Sequence, residues 1–217
     1  MYRAIDDIRI CPLPRRASTM NAVIAVADEP PRTAGEGGAD VMVMPTRKEQ
    51  SELRSGTYEI DPAASTVRFG MRTVFGLFPV RGTFGIDRGR ITVTDAVEDS
   101  SVDVTIRTDT FDSGLRRRDR HVVSADYLDA AGHPEIVFRS RGVTRSAEGT
   151  AELAGELTVR GVTRPVAVAV GAVVPDGRRL TVEGTATVDR YAFGVTTAKG
   201  MTGRRLKLRL TVEAIAR

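Results

Sequence analysis

Few side chains in this sequence could do chemistry. His121 and His133 are the only histidines, and Cys11 is the only cysteine. A zinc centre needs three or four ligands of the Cys, His, Asp or Glu type. Two histidines without His-x-x-x-His spacing and without a cysteine pair do not form such a set, so no metal site is expected. Ser124 and Ser140 lack the Gly-x-Ser-x-Gly setting of an activated nucleophile. The acids fall on outward strand positions or in turns, whereas acid–base catalysis needs two that converge in a pocket. No phosphate-cradling glycine loop leads into a helix. No catalytic residue is assigned.

His133 stands before Pro134 in a loop that leads into a strand, a place for packing or hydrogen bonding. Arg116, Arg117, Arg118 and Arg120 cluster with Asp119 just before His121. The plain reading is an Arg118–Asp119 ion pair at a helix start that fixes a loop. The functional reading is that one of these guanidinium groups meets a polar ligand head such as a diphosphate, for which their planar geometry is suited.

The elements that must position these groups are strands. Leu153, Gly155, Leu157 and Val159 alternate with Ala154, Glu156, Thr158 and Arg160. A turn is expected at Gly161 to Arg164, after which Pro165 opens a second strand with Val166, Val168 and Val170 facing inward. Period-two alternation on both sides of a glycine turn marks an antiparallel hairpin with one buried face. The same alternation recurs at Tyr58 and Ile60, at Val67, Phe69 and Met71, and at Val80, Gly82, Phe84 and Ile86. It returns at Val102 to Ile106, at Ile136 to Ser140, at Leu180 to Val188, and at Leu206 to Val212. This pattern predicts about eight short strands, an all-β sandwich or barrel. The first and last strands carry neither inward charges nor a mid-strand proline to guard an open edge. Pairing them with each other removes both edges, which selects a closed barrel, and eight strands enclose room for side chains or one small ligand. Two segments break the rhythm. Thr73 to Phe78 is apolar at consecutive positions and is expected to form a helical turn or lid, and Arg116 to Tyr127 reads as a short amphipathic helix.

The net charge of +4 is mild, with arginines mixed among acids, and describes a solvated surface better than a nucleic-acid footprint. There is no Trp, aromatic residues make up 5 %, and all seven Phe lie after residue 68, so the core is mainly aliphatic and C-terminal. One cysteine excludes an internal disulfide. No run approaches the roughly 18 apolar residues of a membrane-spanning helix. Ala22 to Ala27 imitates a signal peptide but is short and broken at Asp28, so no export signal is recognised and a cytoplasmic location is expected, with a periplasmic one as the alternative. Residues 1–55, with five prolines, the Gly35-Glu-Gly-Gly38 cluster and no sustained period, read as a disordered extension in which Met20, Met42 and Met44 could each serve as a start. The folded domain is placed at residues 56–217.

Six pieces of that domain, taken in order, carry a family resemblance. They are Tyr58-Glu-Ile-Asp-Pro-Ala-Ala-Ser-Thr-Val-Arg-Phe69, Val80-Arg-Gly-Thr-Phe84, Arg118-Asp119 with His121, His133-Pro-Glu-Ile-Val-Phe-Arg-Ser140, Gly155-Glu-Leu-Thr-Val-Arg-Gly-Val-Thr-Arg-Pro165 and Asp189-Arg-Tyr-Ala-Phe-Gly194. Each alone is weak, but the ordered set resembles the YceI family of bacterial lipid- or polyisoprenoid-binding proteins. Tyr58 and Leu128 depart from it, where the family often has Trp and Phe. The resemblance implies an extended eight-stranded antiparallel β-barrel, lipocalin-like in shape, with one or two short helices. It also implies an isoprenoid chain held in an apolar tunnel, with no cofactor other than that bound polyisoprenoid or isoprenoid quinone.

In a generic barrel, Phe69, Met71, Phe75, Leu77, Phe78, Phe84, Phe138 and Phe193 would be packed core. The resemblance makes them the expected ligand-binding lining, with Leu157 and Val168 of the hairpin as further wall residues. At about 0.8 kcal/mol per buried methylene, a twenty-carbon chain would gain on the order of 15 kcal/mol gross, much of it offset by ordering the chain. The expected function is non-enzymatic binding of an isoprenoid lipid for transport, storage or sequestration. The alternatives are an enzyme acting on a lipid at the barrel mouth through His121, Asp119 or nearby arginines, and a packed barrel that binds a partner. No nucleic acid is expected as a partner. Transient membrane contact for lipid exchange and a homodimer are both compatible with the sequence.

Overall fold

The structure, a computed structural model, describes residues 52–73, 77–145 and 150–217, all within one compact unit. Most of the expected N-terminal extension, together with Cys11 and Phe75, therefore lies outside the described residues. Ten strand segments appear: β1 (Gly56–Ile60), β2 (Thr66–Thr73), β3 (Phe78–Phe84), β4 (Ile86–Val93), β5 (Ser101–Arg107), β6 (Glu135–Arg145), β7 (Ala151–Val159), β8 (Val162–Asp176), β9 (Arg179–Asp189) and β10 (Arg205–Ala216). Among the described residues one α-helix, α1 (Arg116–Val123), accompanies them.

These segments make eight walls. β1 and β2 run in succession along β10, with Tyr58 opposite Ala216 and Val67 opposite Leu210. β3 and β4 follow each other in the same way along β2 and β1. The interruption between β1 and β2 is held by side chains that replace ladder bonds. Asp61 Oδ1 accepts from the amide of Ala63 at 2.9 Å, and Ser65 Oγ accepts from the amide of Glu213 at 3.0 Å. Each remaining strand pairs antiparallel with the next, and β10 returns to β1, so the sheet closes. The result is an eight-stranded antiparallel closed barrel, as the unguarded first and last strands required.

One expectation needs correction. The turn of the β7–β8 hairpin is Arg160–Gly161 rather than Gly161 to Arg164. Val159 faces Val162, and both turn residues have positive φ, 51° and 72°. A two-residue turn of this hand matches the twist of its strands, so β8 starts before Pro165. Thr73 pairs directly with Phe78 as the last rung of the β2–β3 hairpin, and residues 74–76 of the expected helical turn or lid lie outside the described residues.

The connections sort the barrel into two ends. Those between β4 and β5, β6 and β7, and β8 and β9 lie at the base, where Tyr58, Ile60, Ile91, Val93, Leu180 and Ala214 are buried in a packed core. Two glycines in the walls let aromatic rings approach closely. A Cβ on Gly155 would lie 2.6 Å from the Phe138 ring, and one on Gly82 would lie 2.5 Å from Phe69. The β2–β3, β5–β6, β7–β8 and β9–β10 connections, which include residues 108–134 with α1 and residues 190–204, gather at the opposite end, the mouth.

A candidate apolar binding cavity

At the mouth end the interior does not close. A cavity of about 230 Å³ lies among Val67, Phe69 and Met71 of β2, Phe84 of β3, Leu157 and Val159 of β7, Val188 of β9, and Leu206 and Leu208 of β10. Its surface is almost wholly apolar, because strand alternation sends every second side chain inward and those positions carry Val, Leu, Met and Phe. Phe69, Phe84 and Phe111 form one aromatic wall, with ring centroids 5.1 to 5.8 Å apart. Their offset and edge-on arrangement is the one aromatic quadrupoles favour.

Of the expected lining residues, Phe69, Met71, Phe84, Leu157 and Phe193 border the cavity. Leu77 and Phe78 do not, since they stand in solvent at the tip of the β2–β3 hairpin. Phe138 and Val168 are also outside the lining. The Phe138 ring lies over Gly155, deeper than the cavity, and Val168 is buried against its strand partners Leu153 and Ala186. Phe111, Val122, Tyr127, Leu128 and Val195 line the cavity from loops and from α1, where no strand period marks them.

Polar groups meet the cavity only around its opening: Thr73, Arg118, His121, Tyr127, Arg190 and Thr202. Arg118 and Asp119 are not paired with each other. Arg118 Nε donates to Ser113 Oγ at 2.6 Å and its Nη2 to the Ser113 carbonyl at 2.7 Å, while Asp119 accepts from the Ser113 amide at 3.0 Å and from its hydroxyl. Both side chains thus clamp the entry to α1. His121 lies 3.6 Å from Asp126 and edge-on to Tyr127. His133 accepts through its backbone carbonyl from Thr108 Oγ1 at 2.8 Å, a structural tie.

Arg190 is the least expected member of the opening. It is 4 % exposed, and its guanidinium donates to the carbonyls of Val195, Thr197, Thr202 and Gly203 at 2.7 to 3.2 Å. No carboxylate among the described residues pairs with it, so four backbone dipoles hold the charge and the charge holds the loop. The preceding Asp189 is drawn to the surface, where the hydrogen bond from Arg204 keeps its carboxyl below the ordinary value of 3.8. Among the described residues, no three His, Cys, Asp or Glu side chains come together as metal ligands. No helix among them is long and apolar enough to cross a membrane.

A closed antiparallel barrel with an apolar cavity open at one end defines the class of protein. Residues 58–214 match the model of the YceI-like domain, and the chain belongs to that family. It is 36 % identical over 140 residues to a UPF0312 protein of Ectopseudomonas mendocina, which covers 62 % of this chain and 73 % of that relative. It is 31 % identical over 152 residues to a UPF0312 protein of Azotobacter vinelandii, covering 67 % of this chain and 76 % of that relative. Among solved structures, it is similar to Burkholderia cenocepacia BcnA, with TM-score 0.63, 23 % identity, and 71 % and 98 % of the two chains covered. It is also similar to a polyisoprenoid binding domain from Saccharophagus degradans implicated in plant cell wall breakdown, with TM-score 0.53, 11 % identity, and 76 % and 100 % covered. At those identities the two structures speak for the fold.

Proposed function

We propose that this protein binds the apolar chain of an isoprenoid lipid or isoprenoid quinone inside its barrel, and that it carries or sequesters that molecule without transforming it. The observation that carries this reading is the cavity: apolar within, closed by packed core at the base, and polar only at its opening. The family, and the polyisoprenoid binding described for a protein of the same fold, support it.

An apolar cavity of about 150 Å³ takes a benzene ring, so the space here, about 230 Å³, corresponds to roughly nine carbons. At about 0.8 kcal/mol per methylene, filling it gains on the order of 7 kcal/mol gross. A longer chain leads out through the mouth, where its polar end meets Arg118, His121 and Tyr127. Arg118 can serve there because its Nη1 has no hydrogen-bond partner among the described residues. Native mass spectrometry of gently purified protein, followed by lipid extraction, tests the reading. One isoprenoid per chain is expected. Protein that is repeatedly empty and takes up no isoprenoid alcohol or quinone from detergent would overturn it.

A further inference from the structure

We propose that the mouth of the barrel is a docking surface for an anionic lipid bilayer, a reading that rests on the cavity holding a lipid. Four of the described large apolar side chains are more exposed than any others: Leu77 at 71 %, Phe78 and Met201 at 60 %, and Leu115 at 58 %. They come from three separate segments, and the structure brings all three to the mouth. Thr73 bridges to Thr202, and the Gly203 amide donates to the Arg72 carbonyl at 2.8 Å, which sets the β2–β3 tip beside the β9–β10 connection. α1, with Leu115 at its N-cap, joins them through Arg118 and His121, which border the same cavity as Thr73 and Thr202.

Charge separates this end from the rest of the surface. On the walls, several arginines are matched: Arg88 with Glu135, Arg90 with Glu59, and Arg139 and Arg141 with Asp103. At the mouth, Arg116, Arg117 and Arg120 make no ion pair with any described residue. Residues 108–134 hold Asp109, Asp112, Asp119, Asp126 and Asp129 against four arginines, whereas residues 190–204, at the same end, add Arg190, Lys199 and Arg204 and no acid. The β4–β5 connection at the base carries Asp95, Glu98 and Asp99, also without basic partners among the described residues. The molecule is therefore polarised, with its basic end around the opening.

Apolar tips among unmatched arginines are what an anionic membrane surface receives: headgroups meet the cations and the tips enter the acyl boundary. The tips ring an opening instead of forming one flat apolar face, which disfavours an acidic protein as the occupant. Docked mouth-down, the protein exchanges its apolar ligand with the bilayer without exposing it to water.

Sedimentation of the full chain with vesicles tests this. Phosphatidylcholine vesicles containing phosphatidylglycerol should bind the protein, and phosphatidylcholine alone should bind it far less. A juxtamembrane arginine contributes about fivefold, so the double variant Arg116→Gln, Arg117→Gln should bind roughly twenty-five-fold more weakly. Leu77→Ser with Met201→Ser should weaken binding by roughly tenfold or more. The wall variant Arg139→Gln, Arg141→Gln removes equal charge and should bind like the unaltered protein. Equal loss in the wall variant would mean that net charge alone acts, and would overturn the proposal. So would binding to soluble polyglutamate but not to vesicles. Because none of these residues lines the cavity, uptake of an isoprenoid from detergent should be unchanged in every variant. Uptake without vesicle binding refutes the docking surface alone, and vesicle binding without uptake refutes the ligand reading alone.

Discussion

Val188→Phe separates a binding cavity from an ordinary packed core, because the two readings predict opposite signs. Val188 is buried on β9, opposite Leu206, and lines the cavity. The substitution adds four side-chain carbons to an interior with space for roughly nine. If that space is real, the ring enters it, and the ligand-free protein keeps or gains stability. If the interior is already filled, the same ring overpacks it and costs about 1–3 kcal/mol. Ligand binding moves the other way. Displacing four methylene equivalents at about 0.8 kcal/mol each removes on the order of 3 kcal/mol of apolar transfer, or roughly a hundredfold to several hundredfold in affinity. Urea unfolding of delipidated protein gives the first quantity, and competition against a labelled isoprenoid alcohol gives the second. A variant that loses stability while binding the isoprenoid as well as the unaltered protein would refute the reasoning.

Other consequences follow from the groups around the opening. Arg190→Gln leaves the carbonyls of Val195, Thr197, Thr202 and Gly203 without their shared donor. A loss of at least about 3 kcal/mol is expected, read by urea unfolding, with faster tryptic cleavage after Lys199. Arg190→Lys should recover only part of it, since an ammonium has three donors for four bonds. Asp189 titrates near 3.8 when unfolded and lower when folded beside Arg204. Its contribution to stability is therefore whole above its ordinary range and is lost as pH falls through the folded value. Asp189→Asn keeps an acceptor for the Tyr191 amide and removes the charge, so thermal unfolding measured between about pH 5 and pH 2 should decline less steeply in the variant.

The walls of this barrel were legible because strand period leaves a mark at every second residue. Closure followed from the absence of guards on the first and last strands, and the β10–β1 pairing realises it. The hairpin turn was misplaced because Pro165 resembles a strand start, whereas the positive φ of Arg160 is a property of the folded turn. The cavity was less legible. Val67 and Leu157, which line it, are the same kinds of residue as Ile60 and Leu180, which pack the base, so residue type does not tell them apart. Phe111 was invisible for another reason. It follows a short 3-10 turn after β5, with no period to assign its face, and its place is set by stacking on Phe69 and an edge-on contact with Phe84. Arg190 could be read only as one residue of a motif, because its partners are backbone carbonyls that carry no sequence signature.

Photocrosslinking tests the central claim most directly. An isoprenoid alcohol with a diazirine on its chain is incubated with the full protein, irradiated, and the labelled peptides are mapped by mass spectrometry. Insertion is expected at the inward residues of β2, β7 and β9, with Phe69, Leu157 and Val188 among the labelled positions, and Val188→Phe should suppress it. Label confined to Leu77, Phe78, Leu115 and Met201, with none on the inward faces, would contradict the account: the lipid would then sit on the rim and not in the barrel.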